Sequence, residues 1–237
     1  MHSTGTFMKV LVVNETLNLG GAEIIAVEMA NALYLRGVDT YFASAAGPLN
    51  GRLSAKVKFY KMARFSLLSV AEIKKILLGI ISDIQPDIIH SHGATMAVLC
   101  GMALRHNQVK AINVLTHHVE KYGRLPQWLS VTMINRYCDH IIAISRRKQI
   151  LFQRQGIKKE KIALLPNFVD CEHIAKLMST DNREAILNRL HIPQNHAIII
   201  TIGRLVPEKR IDRFMNILAH YAEKVNKNVT GLVIGDG

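Results

Sequence analysis

The sequence predicts an α/β protein built on a doubly wound parallel sheet, for three reasons. Its apolar strands show almost no alternation, as expected when helices cover both faces of a sheet. Segments with helical periodicity separate these strands along the chain. Nearly half of the 237 residues (49%) are apolar, which is enough for a packed core and excludes a disordered chain.

The first strand–helix–strand unit sets the pattern. A continuous apolar strand at residues 9–13 leads into a turn rich in Asn and Gly at 14–21. A helix is predicted next because apolar residues recur every four positions, and Gly37 follows as a stop. Residues 39–44 form the next strand, an order typical of parallel sheets with crossover helices. The periodic apolar residues are Ile25, Met29 and Leu33.

The same alternation continues up to residue 165. Short apolar runs bounded by Pro or Gly predict strands, and longer periodic segments predict helices. The predicted helices cover residues 70–84, 94–104, 129–137 and 146–155, and the predicted strands cover 87–90, 111–116, 140–144 and 161–165.

Residues 166–195 break this rhythm and indicate a hinge. Beyond them a second cycle begins, with one helical segment at 182–190 before it. Two strands cannot bury a sheet on both faces, so we expect the second domain to be incomplete. The second cycle contains strand 197–202, loop 203–207, helix 209–225 and strand 229–234. The expected domains are an N-terminal domain at 8–170, a linker at 171–195 and the start of a second domain at 196–237.

Cysteine usage and hydropathy favour a cytoplasmic protein. Cys100, Cys138 and Cys171 are widely spaced and form no CxxC pair, so neither a zinc knuckle nor a disulfide framework is indicated. The apolar run at 10–13 is too short for the core of a signal peptide. The longest uncharged apolar stretch, 95–104, is far below the roughly 18 residues that cross a bilayer.

The net charge of +12 indicates an anionic partner. Residues 52–75 hold seven basic residues and one acidic one, and residues 121–165 hold ten and two. Neighbouring apolar side chains suit an anionic membrane surface, with peripheral attachment at the inner face of the cytoplasmic membrane. Nucleic acid is disfavoured because no binding motif occurs and aromatic residues are only 6%. An ordinary solvated face is the alternative for both patches. The apolar neighbours are Phe59, Phe65, Leu67, Leu68, Trp128 and Leu129.

A glycine pair opens the first helix. Gly20 and Gly21 would let backbone amides approach a ligand, and the helix N-terminus offers partial positive charge to a phosphate. The segment matches neither the GxGxxG dinucleotide fingerprint nor a P-loop. An ordinary tight turn between strand and helix is the alternative.

Two histidine motifs follow predicted strands. His90 and His92 end one strand, and His117 and His118 end another, at the edge where open α/β sheets bind ligands. A polar or proton-handling role in a binding cleft and a purely structural role both remain open. Metal binding is disfavoured because no acidic residue lies nearby in sequence to complete the ligand set.

Arg204 and Lys209 flank the loop after the first strand of the second domain. Five residues apart at a strand–helix junction, they could converge on a diphosphate, since Arg supplies a planar fork and Lys a point charge. A solvated loop with ordinary surface charge is the alternative.

Taken in order, these motifs resemble a retaining GT-B glycosyltransferase of family 4 (glycosyl transferases group 1), truncated at its C-terminus. The resemblance covers residues 8–237, and its specificity lies in the ordered series rather than in any single motif. The matching segments are 20–23, 87–93, 116–118, 139–145, 166–170, 203–209 and 234–237.

The resemblance implies a transferase that moves a sugar from a nucleotide-diphosphate sugar, its co-substrate, to a glycan or lipid-linked acceptor. The pathway would be bacterial-type polysaccharide or lipopolysaccharide biosynthesis. The N-terminal domain would bind the acceptor and the second domain the donor, without a metal cofactor. His118 would be catalytic and contact the transferred sugar. Donor diphosphate contacts would come from Gly20, Gly21, Arg204 and Lys209, and acceptor or cleft contacts from Glu23, His90, His92 and Asn167.

Departures from the family pattern define the alternatives. Phe168 and Arg210 replace residues that are usually or frequently glycine, and the family's Glu-x7-Glu pair would lie beyond residue 237. We therefore expect this chain to show very weak transfer or none. A non-catalytic module that binds acceptor or a partner is the main rival. A nucleotide-sugar epimerase is disfavoured by the 20–23 motif and the Arg/Lys pattern, and a Rossmann dehydrogenase by its missing glycine fingerprint.

Overall fold

The computed structural model describes residues 8–66, 68–118, 126–169, 171–178 and 183–237. The chain divides into two compact units, unit 1 up to Phe168 and unit 2 at Val169–Gly237. The segment expected to be a linker, 171–195, belongs to unit 2 and contains two helices, α6 (Cys171–Met178) and α7 (Arg183–Arg189). Several residues singled out above lie outside the described residues: Leu67, Lys121, Arg124, Asp170 and Asn182.

In its described residues, unit 1 forms a seven-stranded parallel sheet in the order β3-β2-β1-β4-β5-β6-β7. This order reverses direction beside β1, so the sheet is doubly wound, and the predicted α/β class is confirmed. The strands are β1 (Lys9–Thr16), β2 (Asp39–Ala45), β3 (Lys58–Lys61), β4 (Ile88–His92), β5 (Ile112–Thr116), β6 (His140–Ala143) and β7 (Ile162–Leu164).

Helices cover both faces of this sheet. Leu11 and Val13 of β1 pack into one apolar cluster with α2 and α3, while Val10 and Val12 pack into another with α1. Both faces of β1 are therefore buried, which explains why its sequence does not alternate. The helices are α1 (Gly21–Leu35), α2 (Val70–Ile84), α3 (Ala94–Asn107), α4 (Gln127–Tyr137) and α5 (Arg146–Arg154).

Strand β3 at the sheet edge was not predicted from sequence. It has only four residues, and two of them are Lys58 and Lys61, so its sequence resembles a charged loop. Lysines at both ends of a short strand are typical of sheet edges, because they discourage pairing with other chains. One part of the basic patch at 52–75 is therefore an edge strand.

Unit 2 is a much smaller assembly. Strands β8 (Ala197–Ile202) and β9 (Val229–Ile234) pair in parallel, and helix α8 (Ile211–Lys224) connects them. The helix begins two residues later than predicted because Arg210 adopts a left-handed conformation with φ 49° and ψ 48°. No residue of α8 is fully buried. Among the described residues, no helix is long and apolar enough to cross a membrane.

Candidate active site

Polar residues that the sequence places at the ends of separate strands lie together at the carboxyl edge of the seven-stranded sheet. In the sheet register His92 of β4 lies between Asn14 of β1 and Thr116 of β5. Asn14 is buried, with its Nδ2 donating to the Thr16 carbonyl at 3.1 Å. The two histidine motifs therefore meet at one place, as expected for a parallel sheet.

Three imidazole rings form a continuous stack at this edge. The ring centroids of His90 and His92 are 4.8 Å apart, and those of His92 and His118 are 5.4 Å apart with an interplanar angle of 14°. His90 Nε2 lies 2.7 Å from the Thr116 hydroxyl oxygen. His92 Nδ1 lies 3.1 Å from His118 Nε2, within hydrogen-bonding distance. We call His90, His92 and His118 the histidine cluster.

Burial keeps the histidine cluster neutral. It lowers the pKa of His90 to about 4, helped by the charge of nearby His118. Burial also places the pKa of His92 well below its ordinary value, with smaller contributions from its two neighbours in the stack. The pKa of His118 is lowered by burial and by the positive charge of Lys148. Neutral imidazoles act as hydrogen-bond donor and acceptor at once, so the cluster is suited to binding hydroxyl groups.

The two adjacent histidines that follow β5 have different environments. His118 joins the cluster, whereas His117 is only 2% exposed and its ring lies 5.9 Å from that of Phe152, a fully buried core residue. His117 therefore contributes to packing behind the site. His92 is 5% exposed, and its Nε2 has no hydrogen-bond partner among the described residues.

The glycine pair lies at the start of α1. Gly20 caps this helix in an extended conformation, and a Cβ added there would collide with the Glu23 carboxylate, which folds back over it. Gly21 has open space on its Cα side. Burial and the neighbouring Glu23 raise the pKa of Glu15 at the end of β1. Two carboxylates thus accompany the helix N-terminus, so its local charge is less favourable for phosphate than sequence indicated.

The Arg204–Lys209 loop lies in unit 2 and is built by backbone contacts. Gly203 N donates to the Ile234 carbonyl and Leu205 N to the Asp236 carbonyl, both at 2.9 Å. The aliphatic stem of Lys209 lies against Gly203, and both Arg204 and Lys209 are exposed. Asn167 is exposed near the end of unit 1.

The basic patches contain some cations that bond to other protein groups and others that are exposed to solvent. Arg52 pairs with Glu28 at 3.2 Å, and Lys161 Nζ donates to the carbonyls of Asn135 and Cys138 at 2.7 and 2.6 Å. Arg52 and Lys161 therefore make contacts that stabilise the fold. Exposed basic residues remain in both patches, including Lys56, Lys61, Arg64, Arg136, Arg146, Arg154, Lys158 and Lys159.

Two further features of the described residues bear on ligand binding. No group of three or more His, Cys, Asp or Glu side chains in the described ranges is arranged to hold a metal ion. A wide-open hollow of about 500 Å³ lies at the junction of α1 and β2 and is lined by Tyr34, Leu35, Gly37, Val38 and Asp39. It lies at the amino end of β2, away from the carboxyl edge that holds the histidine cluster.

Three residues near the site were not singled out from sequence. Asn14 and Glu15 were assigned to a turn, because β1 runs three residues further than its apolar segment. Lys148 was counted only as part of a basic patch. Its position follows from the helix start, where Ser145 Oγ accepts from Lys148 N at 3.2 Å. The sequence signal for this position was Ser145, three residues before Lys148, because serine is a preferred N-cap and marks where the helix begins.

Comparison with known proteins assigns the family. The sequence model of Glycosyltransferase Family 4 matches residues 19–173, which is more than half of the chain and includes the glycine pair and the histidine cluster. The chain belongs to Glycosyltransferase Family 4. The predicted resemblance is thereby confirmed at the level of the family.

A curated relative and a solved structure extend over nearly the whole chain. The relative is the Campylobacter jejuni enzyme "GalNAc-alpha-(1->4)-GalNAc-alpha-(1->3)-diNAcBac-PP-undecaprenol alpha-1,4-N-acetyl-D-galactosaminyltransferase", 23% identical over 97% of this chain and 62% of its own length. The structure is Anabaena HepE in complex with UDP, with a TM-score of 0.72, 19% identity and coverage of 97% of this chain and 61% of HepE. The family 4 chain thus spans about three fifths of each protein.

The fold is shared with enzymes of another class. The UDP-GlcNAc 2-epimerase of Neisseria meningitidis, bound to UDP-GlcNAc, superposes with a TM-score of 0.62 and 17% identity, covering 95% of this chain and 65% of the epimerase. At such identities the likeness concerns the fold alone. The family match, rather than the fold, therefore separates this glycosyltransferase family member from an epimerase.

Proposed function

We propose that this family 4 member takes part in sugar transfer from a nucleotide-diphosphate sugar to a glycan or lipid-linked acceptor. The observation that carries the proposal is the neutral histidine cluster at the carboxyl edge of unit 1. The undecaprenol-linked substrate in the name of the C. jejuni relative and the UDP bound to HepE support these two substrate classes. Bacterial-type polysaccharide or lipopolysaccharide biosynthesis is the pathway proposed.

His118 has the central role in this proposal. Its neutral ring hydrogen-bonds a hydroxyl of the transferred sugar, and the rest of the histidine cluster fixes that ring. Arg204 and Lys209 stabilise the negative charge that grows on the diphosphate leaving group. Protein cations rather than a metal ion stabilise this negative charge. Transfer proceeds with retention at the anomeric carbon.

The start of α1 is assigned mainly to the acceptor. Glu15 and Glu23 make this loop a poor site for phosphate, whereas carboxylates accept hydrogen bonds readily from sugar hydroxyls. Gly21 leaves room for a ligand to approach the backbone. The lack of a side chain at Gly20 leaves space for the Glu23 carboxylate. Contacts of Gly20 and Gly21 with the diphosphate of the sugar donor would be made by their backbone amides.

A membrane-borne acceptor fits the distribution of charge. Exposed basic residues of 52–75 and 121–165 would hold the protein at an anionic bilayer, as a peripheral protein on the cytoplasmic face. Trp128 is 70% exposed and Leu68 is 97% exposed, so apolar side chains accompany the cations. Nucleic acid is not proposed as a partner.

The test is a transfer assay with a binding arm. The chain is incubated with radiolabelled UDP-sugars and an undecaprenyl-diphosphate-linked glycan in detergent, and lipid-borne label is counted. UDP binding is measured by calorimetry on the same protein. We expect only weak transfer from this chain, which His118→Ala should lower about 100-fold, and we expect Lys209→Ala to weaken UDP binding. The exposed Lys224→Ala serves as the control for charge loss and should change neither.

The outcomes separate the rival functions. Binding of acceptor and UDP without transfer would favour the non-catalytic binding module. Interconversion of the free nucleotide sugar without acceptor would favour an epimerase. Absence of binding to either substrate would contradict the proposal.

A further inference from the structure

We propose that His92 is a positioning residue that donates its Nδ1–H to His118 Nε2 and so holds His118 with its proton on Nδ1. In that state His118 presents an N–H donor, and the bare Nε2 of His92 stays buried. The inference deepens the proposed function, because the group that this pair would bind is a sugar hydroxyl.

The first step is the geometry of the pair. His92 Nδ1 and His118 Nε2 face each other at 3.1 Å, and the two rings are stacked within 14° of parallel. A neutral imidazole carries one N–H and one bare nitrogen. A bond between these two nitrogens therefore contains a single proton, and its position fixes the remaining nitrogen of each ring.

The second step decides which ring donates. His92 Nε2 is buried and has no partner within the part of the chain that the structure describes. Buried N–H groups without partners are rarer in proteins than buried acceptors without partners. His92 Nε2 is accordingly the bare nitrogen, its proton lies on Nδ1, and His118 Nε2 is the acceptor. His118 must then carry its own proton on Nδ1.

The surroundings support this neutral arrangement. His90 also stacks on His92, with ring centroids 4.8 Å apart, and is itself bonded to the Thr116 hydroxyl at 2.7 Å. The positive charge of Lys148 near His118 disfavours a second proton on the pair. The pair thus behaves as one unit: its donor, His118 Nδ1–H, can bond the oxygen of a sugar hydroxyl, whereas the bare His92 Nε2 is buried.

The test uses two substitutions that keep different halves of the imidazole. The amide of Asn lies where Nδ1 does, so His92→Asn keeps the contact with His118. The amide of Gln reaches towards Nε2, so His92→Gln loses that contact. Long-range ¹H–¹⁵N NMR spectra of protein with ¹⁵N-labelled histidine rings report the protonated nitrogen of His118 directly.

We expect the wild-type spectrum to show His118 protonated on Nδ1, His92→Asn to preserve that state and His92→Gln to shift it to Nε2. Transfer should fall about tenfold in His92→Gln and recover in His92→Asn, with kcat affected more than KM. A wild-type His118 protonated on Nε2, or one whose state is unchanged in His92→Gln, would overturn the inference. The spectra require no turnover, so failure of the proposed function alone would appear as an intact Nδ1–H state without transfer.

Discussion

The candidate residues of unit 1 lie against a seven-stranded sheet with helices on both faces, whereas those of unit 2 lie on an exposed loop beside two strands. In unit 1, burial determines the chemistry, since it holds three histidines neutral, with His92 bonded to His118 and His90 bonded to Thr116. In unit 2, Arg204 and Lys209 are exposed, and only the backbone geometry of the loop is fixed.

This difference shows that the two kinds of site need different amounts of core. A neutral hydrogen-bonding cluster requires many buried neighbours, because desolvation of the imidazoles must be sustained by the fold. A cationic loop requires only a strand end and a close backbone contact. Perturbations of the core, of pH and of glycine contacts should therefore act unequally on the two units.

The largest difference is expected from apolar truncation. Leu77 in α2 is fully buried, so Leu77→Ala should reduce the free energy of unfolding of unit 1 by about 3 kcal/mol. Ile217 in α8 is 68% exposed, and Ile217→Ala should cost less than about 0.5 kcal/mol. Hydrogen exchange in urea, read out on peptides from each unit, measures the free energy of unfolding of the two units separately. Equal costs for the two substitutions would break the comparison.

Acid should weaken unit 1 through His90. Its pKa is about 4 in the folded protein and near the ordinary histidine value of 6.5 when unfolded, so the unfolded state binds more protons between these values. Stability is therefore complete above pH 6.5 and falls as pH drops towards 4. At about pH 5 the loss should reach about 2 kcal/mol.

The check is the pH dependence of urea unfolding in wild type and in His90→Gln. The substitution should make the dependence less steep over this range, because His90 no longer contributes while His92 and His118 still do. The matched control is His140→Gln, at an exposed histidine. An unaltered slope in His90→Gln would show that the cluster is not held neutral by burial.

A smaller effect is expected where two backbone segments of unit 2 meet. A Cβ at Gly235 would collide with the Gly203 carbonyl, so Gly235→Ala should destabilise unit 2 by about 1 to 2 kcal/mol and weaken UDP binding. The matched control is Gly79→Ala in α2, which has open space and should stabilise unit 1 by about 1 kcal/mol. Thermal melts combined with hydrogen exchange measure the effect of each substitution on its own unit. If Gly235→Ala left the stability of unit 2 unchanged, the close contact with Gly203 would be contradicted.

The smallest effect concerns the start of α8. Arg210 occupies a left-handed conformation that glycine adopts without strain, and its guanidinium makes a bidentate contact with Asp212 at 2.9 and 2.6 Å. Arg210→Gly should raise the melting temperature of unit 2 slightly, because strain relief exceeds the worth of an exposed ion pair. A clear fall in the melting temperature would assign the pair a larger structural role.

Sequence predicted the order of strands and helices well where periodicity was strong. It also placed His90, His92 and His118 at strand ends, which is where the structure has them. Strand β3 was missed because an edge strand with two lysines has no buried face to leave a pattern. Helix α6 was missed because its eight residues are too few to establish a helical period from sequence.

The chemistry of the site depends on distances that sequence does not contain. Asn14 and His92 are paired by sheet register although they are far apart in the chain. The fold of Glu23 over Gly20 and the approach of Lys148 to His118 arise from side-chain conformation. Sequence therefore identified which residue types gather at the edge, and the structure identified which of them bond.

The most direct test of the central claim is a ligand titration followed on the histidine rings. The chain with ¹⁵N-labelled rings is titrated with a soluble glycosyl diphosphate acceptor and, separately, with UDP-sugars. We predict that the ring signals of His90, His92 and His118 move on sugar binding, whereas those of the exposed His106, His140 and His191 do not. Saturable binding that leaves the histidine cluster unchanged would contradict the claim that the carboxyl edge of unit 1 is the sugar-binding centre.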